Sequence, residues 1–251
     1  MSGNFKNKVA LVTGATSGIG REIARQLCSE GATVIINYSR NEEHANETRN
    51  EFTEKQYKFE IIKADVSNEN AVRNMMEQIN QKFGKLDYLV NNAGIDFMES
   101  IEDFNLDNFR REIDVNFIAK FICIQTAIPL LKKSDTSKII NIASRLGTKP
   151  MEMSAPYCTS EAATIMLTQV CALELSKYNI KVNTVSPSMT LTPLSLQSYS
   201  GKDIKEMELN NPSKRLGKPE DTANTVVFLL SDKADYINGE NVNVNGGILL
   251  V

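Results

Sequence analysis

The sequence predicts one α/β domain, a doubly wound parallel sheet of seven strands with helices on both faces. Three observations predict it. Short apolar, β-branched runs alternate with stretches of helical periodicity along the whole chain. The first run passes through a glycine-rich turn directly into a helix. Successive strand-like runs are separated by helical ones, which right-handed crossovers place above and below a parallel sheet. With 251 residues, 41% hydrophobic and 24% charged, the chain can bury one sizeable core.

Val9 to Thr13 is a short apolar run, Gly20 to Glu30 has helical spacing and Thr33 to Asn37 is again β-branched, which makes a strand, helix, strand unit. A polar helix is expected around Glu42 to Lys55, a strand at Phe59 to Lys63, a helix around Glu69 to Phe83 and a strand at Asp87 to Asn91. Two helices, about Leu106 to Lys120 and Phe121 to Lys133, precede a strand at Lys138 to Ala143 and a long helix from about Ala155 to Tyr178. A sixth strand, Lys181 to Val185, a helix at Pro219 to Ser231 and a strand at Asn241 to Val244 complete the set. Residues 1–251 read as a single domain without linker or repeat. The one long irregular stretch, 186–214, follows the carboxyl end of a strand, where open α/β sheets bind ligands. It is expected to be a substrate lid, the alternative being a plain surface loop.

Composition removes several function classes. Lysine plus arginine number 28 against 31 acidic residues, a net charge of −3, and the charges are scattered, so neither nucleic acid nor an anionic membrane is an expected partner. The longest apolar stretch, Phe117 to Leu131, is interrupted by Lys120, Gln125 and Pro129, and Met1 to Lys8 carries no hydrophobic signal region; a cytoplasmic protein is expected. Cys28, Cys123, Cys158 and Cys171 have no paired spacing, and the one histidine, His44, lies in a polar stretch. No metal site, disulfide framework or serine-histidine-aspartate hydrolase is therefore indicated.

The turn Thr13-Gly14-Ala15-Thr16-Ser17-Gly18-Ile19-Gly20 joins the first strand to the first helix. Gly14 permits the tight turn, Gly18 lets backbone approach a pyrophosphate and Gly20 allows close packing of helix on strand. Thr16, Ser17 and Ile19 complete a turn in which the helix N-terminus offers free N–H groups to an anion. The second strand ends Asn37-Tyr38-Ser39-Arg40, without the carboxylate that would accept the ribose hydroxyls of NAD. Asn37, Ser39 and Arg40, with Ser17, offer donors to a 2′-phosphate, so NADP(H) is the expected cofactor, with NAD(H) the alternative if Arg40 is only a solvated side chain.

The spacing Thr-Gly-x-x-x-Gly-x-Gly resembles that of the short-chain dehydrogenase/reductase family, and further matches follow in order. They are Asp65-Val66, Asn91-Asn92-Ala93-Gly94, Asn116 within Asp114-Val115-Asn116, Ser144, Tyr157, Arg215 to Glu220 and Val244 to Gly247. The resemblance covers essentially the whole chain and runs to 3-oxoacyl-carrier-protein reductases and glucose dehydrogenases. It implies a Rossmann-type fold, with Asp65 and Val66 at the adenine ring, Asn92, Ala93 and Gly94 along the middle of the cofactor, and Asn91 in a supporting role. The family's Pro-Gly-x-x-x-Thr stretch over the nicotinamide is here Pro187 to Thr192, with Ser188 where the family has glycine.

The resemblance also implies hydride transfer between nicotinamide and a carbonyl or alcohol carbon, with Tyr157 as general acid or base, Ser144 bonding the substrate oxygen and Asn116 ordering a water chain. The family's lysine four residues after the tyrosine is Glu161 in this chain. At i and i+4, Tyr157 and Glu161 share one helix face. A unit charge about 5 Å away at an effective dielectric of ~20 is worth ~3 kcal/mol, or ~2 pKa units, so an ionised Glu161 opposes phenolate where a lysine would favour it. Among cations near in sequence, Arg145 and Lys149 follow Ser144 and reach the site only if the fold bends them inward.

Three readings follow. The leading one is an NADP(H)-dependent reductase of a small carbonyl substrate, with Tyr157 a neutral phenol that donates a proton and Glu161 accepting ribose hydroxyls. The alternatives are a cofactor-binding protein without redox turnover and a lyase or isomerase that uses Glu161 as its acid or base. Leu146 to Ser154, including Met151 and Met153, and Thr190 to Lys214 should flank a moderately apolar substrate pocket. The helices between Leu106 and Leu131 and from Ala155 to Tyr178 carry more apolar surface than one sheet face needs, and in the resembling family they pair between subunits; a homotetramer is expected.

Overall fold

The structure is a computed structural model that describes residues 4–198 and 201–250; within the expected lid, Tyr199 and Ser200 lie outside the described residues. Its strands are β1 (Val9–Val12), β2 (Thr33–Tyr38), β3 (Lys58–Lys63), β4 (Tyr88–Asn91), β5 (Ser137–Ile142), β6 (Ile180–Pro187) and β7 (Asn241–Val244). They form a 7-stranded sheet in the order β3-β2-β1-β4-β5-β6-β7, parallel throughout. The chain runs outward from β1 to β3 and then crosses back to β4, so the direction of winding reverses between β1 and β4. The carboxyl ends of those two strands therefore open a crevice.

Strand alternation decides which core each residue joins. Ala10, Val12, Val34 and Ile36 point to one face, against Ile23 and Leu27 of α1 (Gly18–Ser29) and Val226 and Leu229 of α9 (Pro219–Leu230). Val9, Leu11, Ile35 and Leu89 point to the other. There they meet Val72 and Met75 of α3 (Glu69–Phe83), Cys123 and Ala127 of α5 (Ala119–Leu131) and Ala172 of α6 (Ala155–Leu175). The helix α2 (Glu42–Glu54) contributes Phe52 to the first core.

The structure departs from expectation in two places that bear on the site. The two helices expected between Leu106 and Lys133 are one continuous rod, α4 (Leu106–Ile113) running into α5 through a π-turn at Asp114–Ile118. The widened turn accompanies Asn116, whose Oδ1 accepts the Ile95 N–H at 2.9 Å and whose Nδ2 donates to the Ile95 carbonyl at 2.8 Å. By length and composition this rod could cross a membrane, but its inner face packs on α3 and α6 and carries the buried Glu112 and Lys120, as a core helix does. The stretch 186–214, expected to be irregular, holds α7 (Pro193–Ser198) and α8 (Gly201–Asn210). Proline at the first position of α7 is compatible with a helix start, because that N–H would have no intrahelical partner.

Candidate active site

The glycine turn occupies the crevice where the sheet reverses. Gly14 has φ +60, and a Cβ there would stand 2.9 Å from Ala93 Cα, so the turn after β1 and the turn after β4 touch backbone to backbone. The Thr13 hydroxyl accepts the N–H groups of Asn92 and Ala93 at 2.9 and 3.1 Å, and Asn92 Nδ2 donates to the carbonyls of Thr13 and Gly14. Asn92 is thus a lock on the turn, with its side chain already engaged. At Gly20 a Cβ would lie 2.4 Å from Asn92 Nδ2, so this position too admits only glycine. Asn91 supports the sheet as expected, donating to Asn141 Oδ1 at 2.8 Å.

The N-terminus of α1 is equipped for an anion. Its first turn holds no acidic residue, and the N-cap Ser17 side chain makes no capping bond. Gly18, at φ +53, lies beneath Thr192, whose Cγ2 would be 3.2 Å from a Cβ at that position. The segment after β6 therefore crosses directly over the turn. Pro187 ends β6, and Ser188, where a glycine stands in the resembling family, has no positive φ and donates its N–H to the Val244 carbonyl.

Five further residues expected at the cofactor lie at or just beyond the ends of β2 and β3. Asn37 is buried, its Oδ1 accepting the Gly14 N–H at 3.4 Å and its Nδ2 donating to the Ala64 carbonyl at 3.0 Å. It ties the glycine turn to the ends of β2 and β3 and does not reach outward, because alternation along β2 points it inward. Ser39 and Arg40, beyond the strand, are exposed. The Val66 side chain belongs to the core beside α3, leaving its backbone for contacts. Asp65 accepts the N–H and hydroxyl of Ser67 and the Arg111 guanidinium at 2.9 Å; burial alone would raise its pKa, but these bonds hold the carboxyl below its ordinary value.

Ser144 and Tyr157 line one cavity of about 260 Å³, together with Leu146, Met151, Thr192, Leu194, Met207 and Asp96. Ser144 is placed by the strand end of β5 and caps a short 3-10 turn, Arg145–Gly147, by accepting the Leu146 N–H at 3.1 Å. Gly147 lets that turn lie on α6, since a Cβ there would meet the Glu161 carbonyl carbon at 2.8 Å. Met153, expected in the pocket wall, instead sits half exposed with φ +61. Burial raises the Tyr157 pKa well above its usual value, and the charges of Glu161, Asp96 and Glu112 act in the same direction, against a hydrogen bond with Ser144. The neutral phenol is therefore favoured over phenolate.

The cation that meets Glu161 is neither Arg145 nor Lys149. It is Lys120, in the first turn of α5, whose Nζ lies 3.5 Å from Glu161 Oε2 and 3.3 Å from Thr164 Oγ1, with both charged side chains almost wholly buried. Burial pushes the Glu161 pKa up and the Lys120 pKa down, and the attraction between them opposes both shifts. The Thr164 hydroxyl also reaches the Asn116 carbonyl at 3.4 Å. Beyond Glu161, two more carboxyls are drawn in. Glu112, fully buried on α4, accepts the Phe97 N–H on Oε2 but has no partner for Oε1, and burial, Asp96 and Glu161 push its pKa up to about 8. Asp96 Oδ1 is likewise buried without a partner, and desolvation raises its pKa.

Sequence reasoning missed Lys120, Glu112, Asp96 and Arg111. A signal existed for the first: a lysine inside an otherwise apolar helical run must either reach water or be paired. The four-residue spacing of Asn116 and Lys120, matching that of Tyr157 and Glu161, puts the lysine one turn beyond the asparagine on the facing helix.

The chain is similar to known proteins over nearly its whole length. Residues 14–249 match the family model described as enoyl-(acyl carrier protein) reductase. The chain is 37% identical over 245 residues to the 3-oxoacyl-[acyl-carrier-protein] reductase FabG of Staphylococcus epidermidis, covering 97% of this chain and 100% of the relative. It is 31% identical over 244 residues to an NAD-dependent glycerol dehydrogenase of Listeria innocua, covering 97% and 94%. Its fold superposes on the ligand-free aldohexose dehydrogenase of Thermoplasma acidophilum with a TM-score of 0.89 at 31% identity, over 100% of this chain and 97% of that one.

Proposed function

The chain belongs to the short-chain dehydrogenase/reductase family of oxidoreductases, and from that premise we propose that it is an NADP(H)-dependent reductase of a small carbonyl substrate with Tyr157 as proton donor. The observation that carries this reading is one cavity lined by both Tyr157 and Ser144, with Ile19 of the glycine turn in its wall.

The residues present fit a dinucleotide. Gly14, Gly18 and Gly20 form a close-fitted cradle in which a Cβ would press on Ala93, Thr192 or the Gly14 carbonyl, and the free cap of α1 supplies N–H donors to a pyrophosphate. Thr16, Ser17 and Ile19 belong to that cradle, Gly94 and Ala93 border it, and Pro187 and Thr192 cover it. Ser39 and Arg40 would take the 2′-phosphate that distinguishes NADP, since residues 37–40 include no carboxylate and the nearby Glu42 is engaged by the Tyr38 hydroxyl and Lys63. When bound, the nicotinamide supplies the hydride. Ser144 donates to the carbonyl oxygen and polarises it, and Tyr157 gives that oxygen its proton as alkoxide develops. A raised phenol pKa does not obstruct this direction, because an alkoxide is far more basic than a phenolate. It does penalise alcohol oxidation, which must begin from phenolate.

The cavity wall of Leu146, Met151, Leu194 and Met207 suits a substrate with an apolar portion, while Asp96 adds one carboxyl. The test is NADPH oxidation, with NADH in parallel, against β-keto esters, diketones, quinones and hydroxyketones. Turnover by the native protein that Tyr157→Phe abolishes supports the reading; NADPH binding without turnover on the whole panel overturns it. The same reading includes a homotetramer, supported by the exposed Phe121 on α5 and Met166, Val170 and Leu173 on α6. Sedimentation as a monomer at micromolar concentration would exclude it.

A further inference from the structure

We propose that Arg111 is a positioning residue for the adenine end of the dinucleotide, holding the Asp65 carboxylate as the acceptor that reads the exocyclic amino group of the base. The inference rests on the cofactor site of the reading above and deepens it.

Asp65 follows the carboxyl end of β3, and because the sheet is parallel throughout it stands on the same edge as the glycine turn. Asn37 ties the two together, taking the Gly14 N–H and donating to the carbonyl of Ala64, the residue before Asp65. The two oxygens of Asp65 are held from different directions. Oδ1 accepts the Ser67 N–H at 3.0 Å and the Ser67 hydroxyl at 2.6 Å, both from its own turn. Oδ2 accepts Arg111 Nη2 at 2.9 Å, from a helix 46 residues further along the chain. Arg111 Nη1 donates to Ser67 Oγ at 2.6 Å, so the guanidinium closes a ring through hydroxyl and carboxylate. Two donors of one planar group fix the rotation of the carboxylate as well as its position.

That ring decides what the carboxylate can still do. Each of its oxygens offers about two acceptor positions. Ser67 fills both on Oδ1, so the position left for a ligand is on Oδ2, the oxygen that Arg111 holds. The Asp65 side chain is 36% exposed and therefore within a ligand's reach. Burial alone would raise its pKa, but the bonds from Ser67 and Arg111 outweigh that and keep the group ionised at neutral pH. An ionised carboxylate accepts and cannot donate, so it suits adenine, which presents an amino group, and opposes hypoxanthine, which presents a carbonyl in its place. The helix carrying Arg111 is itself fixed, because the next residue, Glu112, takes the Phe97 N–H of the loop after β4. A half-exposed ion pair of this kind contributes little to stability, and its value lies in where it puts the acceptor. Arg110 beside it has only an exposed pair with Asp107 at 3.5 Å.

The experiment titrates NADPH and its hypoxanthine analogue, identical except for the base, by fluorescence. The proteins are native, Arg111→Met, Arg111→Lys and, as a surface control, Arg110→Met. The native protein is expected to bind NADPH about tenfold or more tightly than the analogue, the worth of one hydrogen bond to a charged group. Arg111→Met weakens NADPH and leaves the analogue nearly unchanged, so the ratio of the two dissociation constants falls to about threefold or less. Arg111→Lys keeps the charge without the fork and falls between, while Arg110→Met matches native. In turnover, Arg111→Met raises KM for NADPH and holds kcat within about twofold, since the change removes binding shared by ground and transition states. If Arg111→Met does not fold, the ratio in Arg111→Lys decides. Variants that weaken both dinucleotides alike, or neither, would overturn the inference, as would a native protein that binds the two equally; each leaves the reductase reading standing. A native protein that binds neither dinucleotide would instead overturn that reading, and the inference with it.

Discussion

Lys120 Nζ lies 3.5 Å from Glu161 Oε2, so the carboxylate on the tyrosine's own helix is met by an ammonium from the neighbouring one. Removing only Lys120 leaves a buried carboxylate unpaired, whereas removing both leaves none. Lys120→Met is expected to cost ~3–5 kcal/mol in urea unfolding at pH 7, and Lys120→Met/Glu161→Met to cost little or to stabilise. Equal destabilisation in the two proteins would contradict a paired, buried role.

On the proposed reductase reading, Tyr157 sets the pH behaviour of the two reaction directions. Its pKa lies well above the usual value, so reduction, which uses the phenol, should show no tyrosine ionisation in kcat/KM below pH 10. Oxidation of the product alcohol uses phenolate, whose fraction grows tenfold per pH unit. A log plot of kcat/KM for oxidation should therefore climb with unit slope and no plateau up to pH 10. Tyr157→Phe should lower reduction by roughly 10²- to 10⁴-fold with NADPH affinity unchanged.

Glu112 makes stability depend on pH through a group outside the reacting atoms. Its folded pKa, about 8, is above the ordinary value of 4.5, so between those values the folded state holds a proton that the unfolded state has lost. Unfolding free energy should then fall as pH rises through that window, by up to ~1.4 kcal/mol per pH unit from this group. Glu112→Gln can still accept the Phe97 N–H and cannot ionise. Denaturation curves at pH 5 and pH 8 should show the variant gaining on the native protein at the higher pH.

The glycine turn should be intolerant of even one methyl group. Gly14→Ala would drive a Cβ to 2.9 Å from Ala93 Cα at a φ of +60, forcing apart the two turns that border the cradle. A rise of at least about tenfold in the NADPH dissociation constant, with a lowered Tm, is the expected outcome by fluorescence titration and calorimetry.

On the proposed reading, cofactor choice turns on Arg40 and Ser39. Arg40→Ala should weaken NADPH by about tenfold or more, the worth of a charge-assisted bond to phosphate, and leave NADH nearly unaffected. Ser39→Asp should shift preference further toward NADH. An unchanged ratio of the two dissociation constants in both variants would locate cofactor selection elsewhere.

Much of the protein was legible in order along the chain. The continuous, largely apolar runs at Val9 to Val12 and Thr33 to Tyr38, the periodicity of Glu69 to Phe83 and the glycine turn are local patterns, and local patterns survive in a linear reading. Tyr157, Ser144 and the glutamate in place of the family's lysine were legible through the family resemblance, and the carboxylate's place on the tyrosine's face follows from helix geometry alone. The rod from Leu106 to Leu131 read as two helices because a π-turn breaks the 3.6-residue period without breaking the helix. Asn37 read as a phosphate ligand because composition gives a donor but not its direction.

The sequence by itself determined the fold class, the order of elements along the chain and the unusual charge beside the tyrosine. Only the tertiary structure decided what that charge meets. Lys120 and Glu161 are 41 residues apart, and nothing local relates them. Their pairing depends on how the rod of α4 and α5 lies against α6, and packing of that kind is set by whole helix faces in contact. The same packing gathers Asp96 and Glu112 from two further segments into one desolvated place, where burial rather than residue type fixes which groups hold protons.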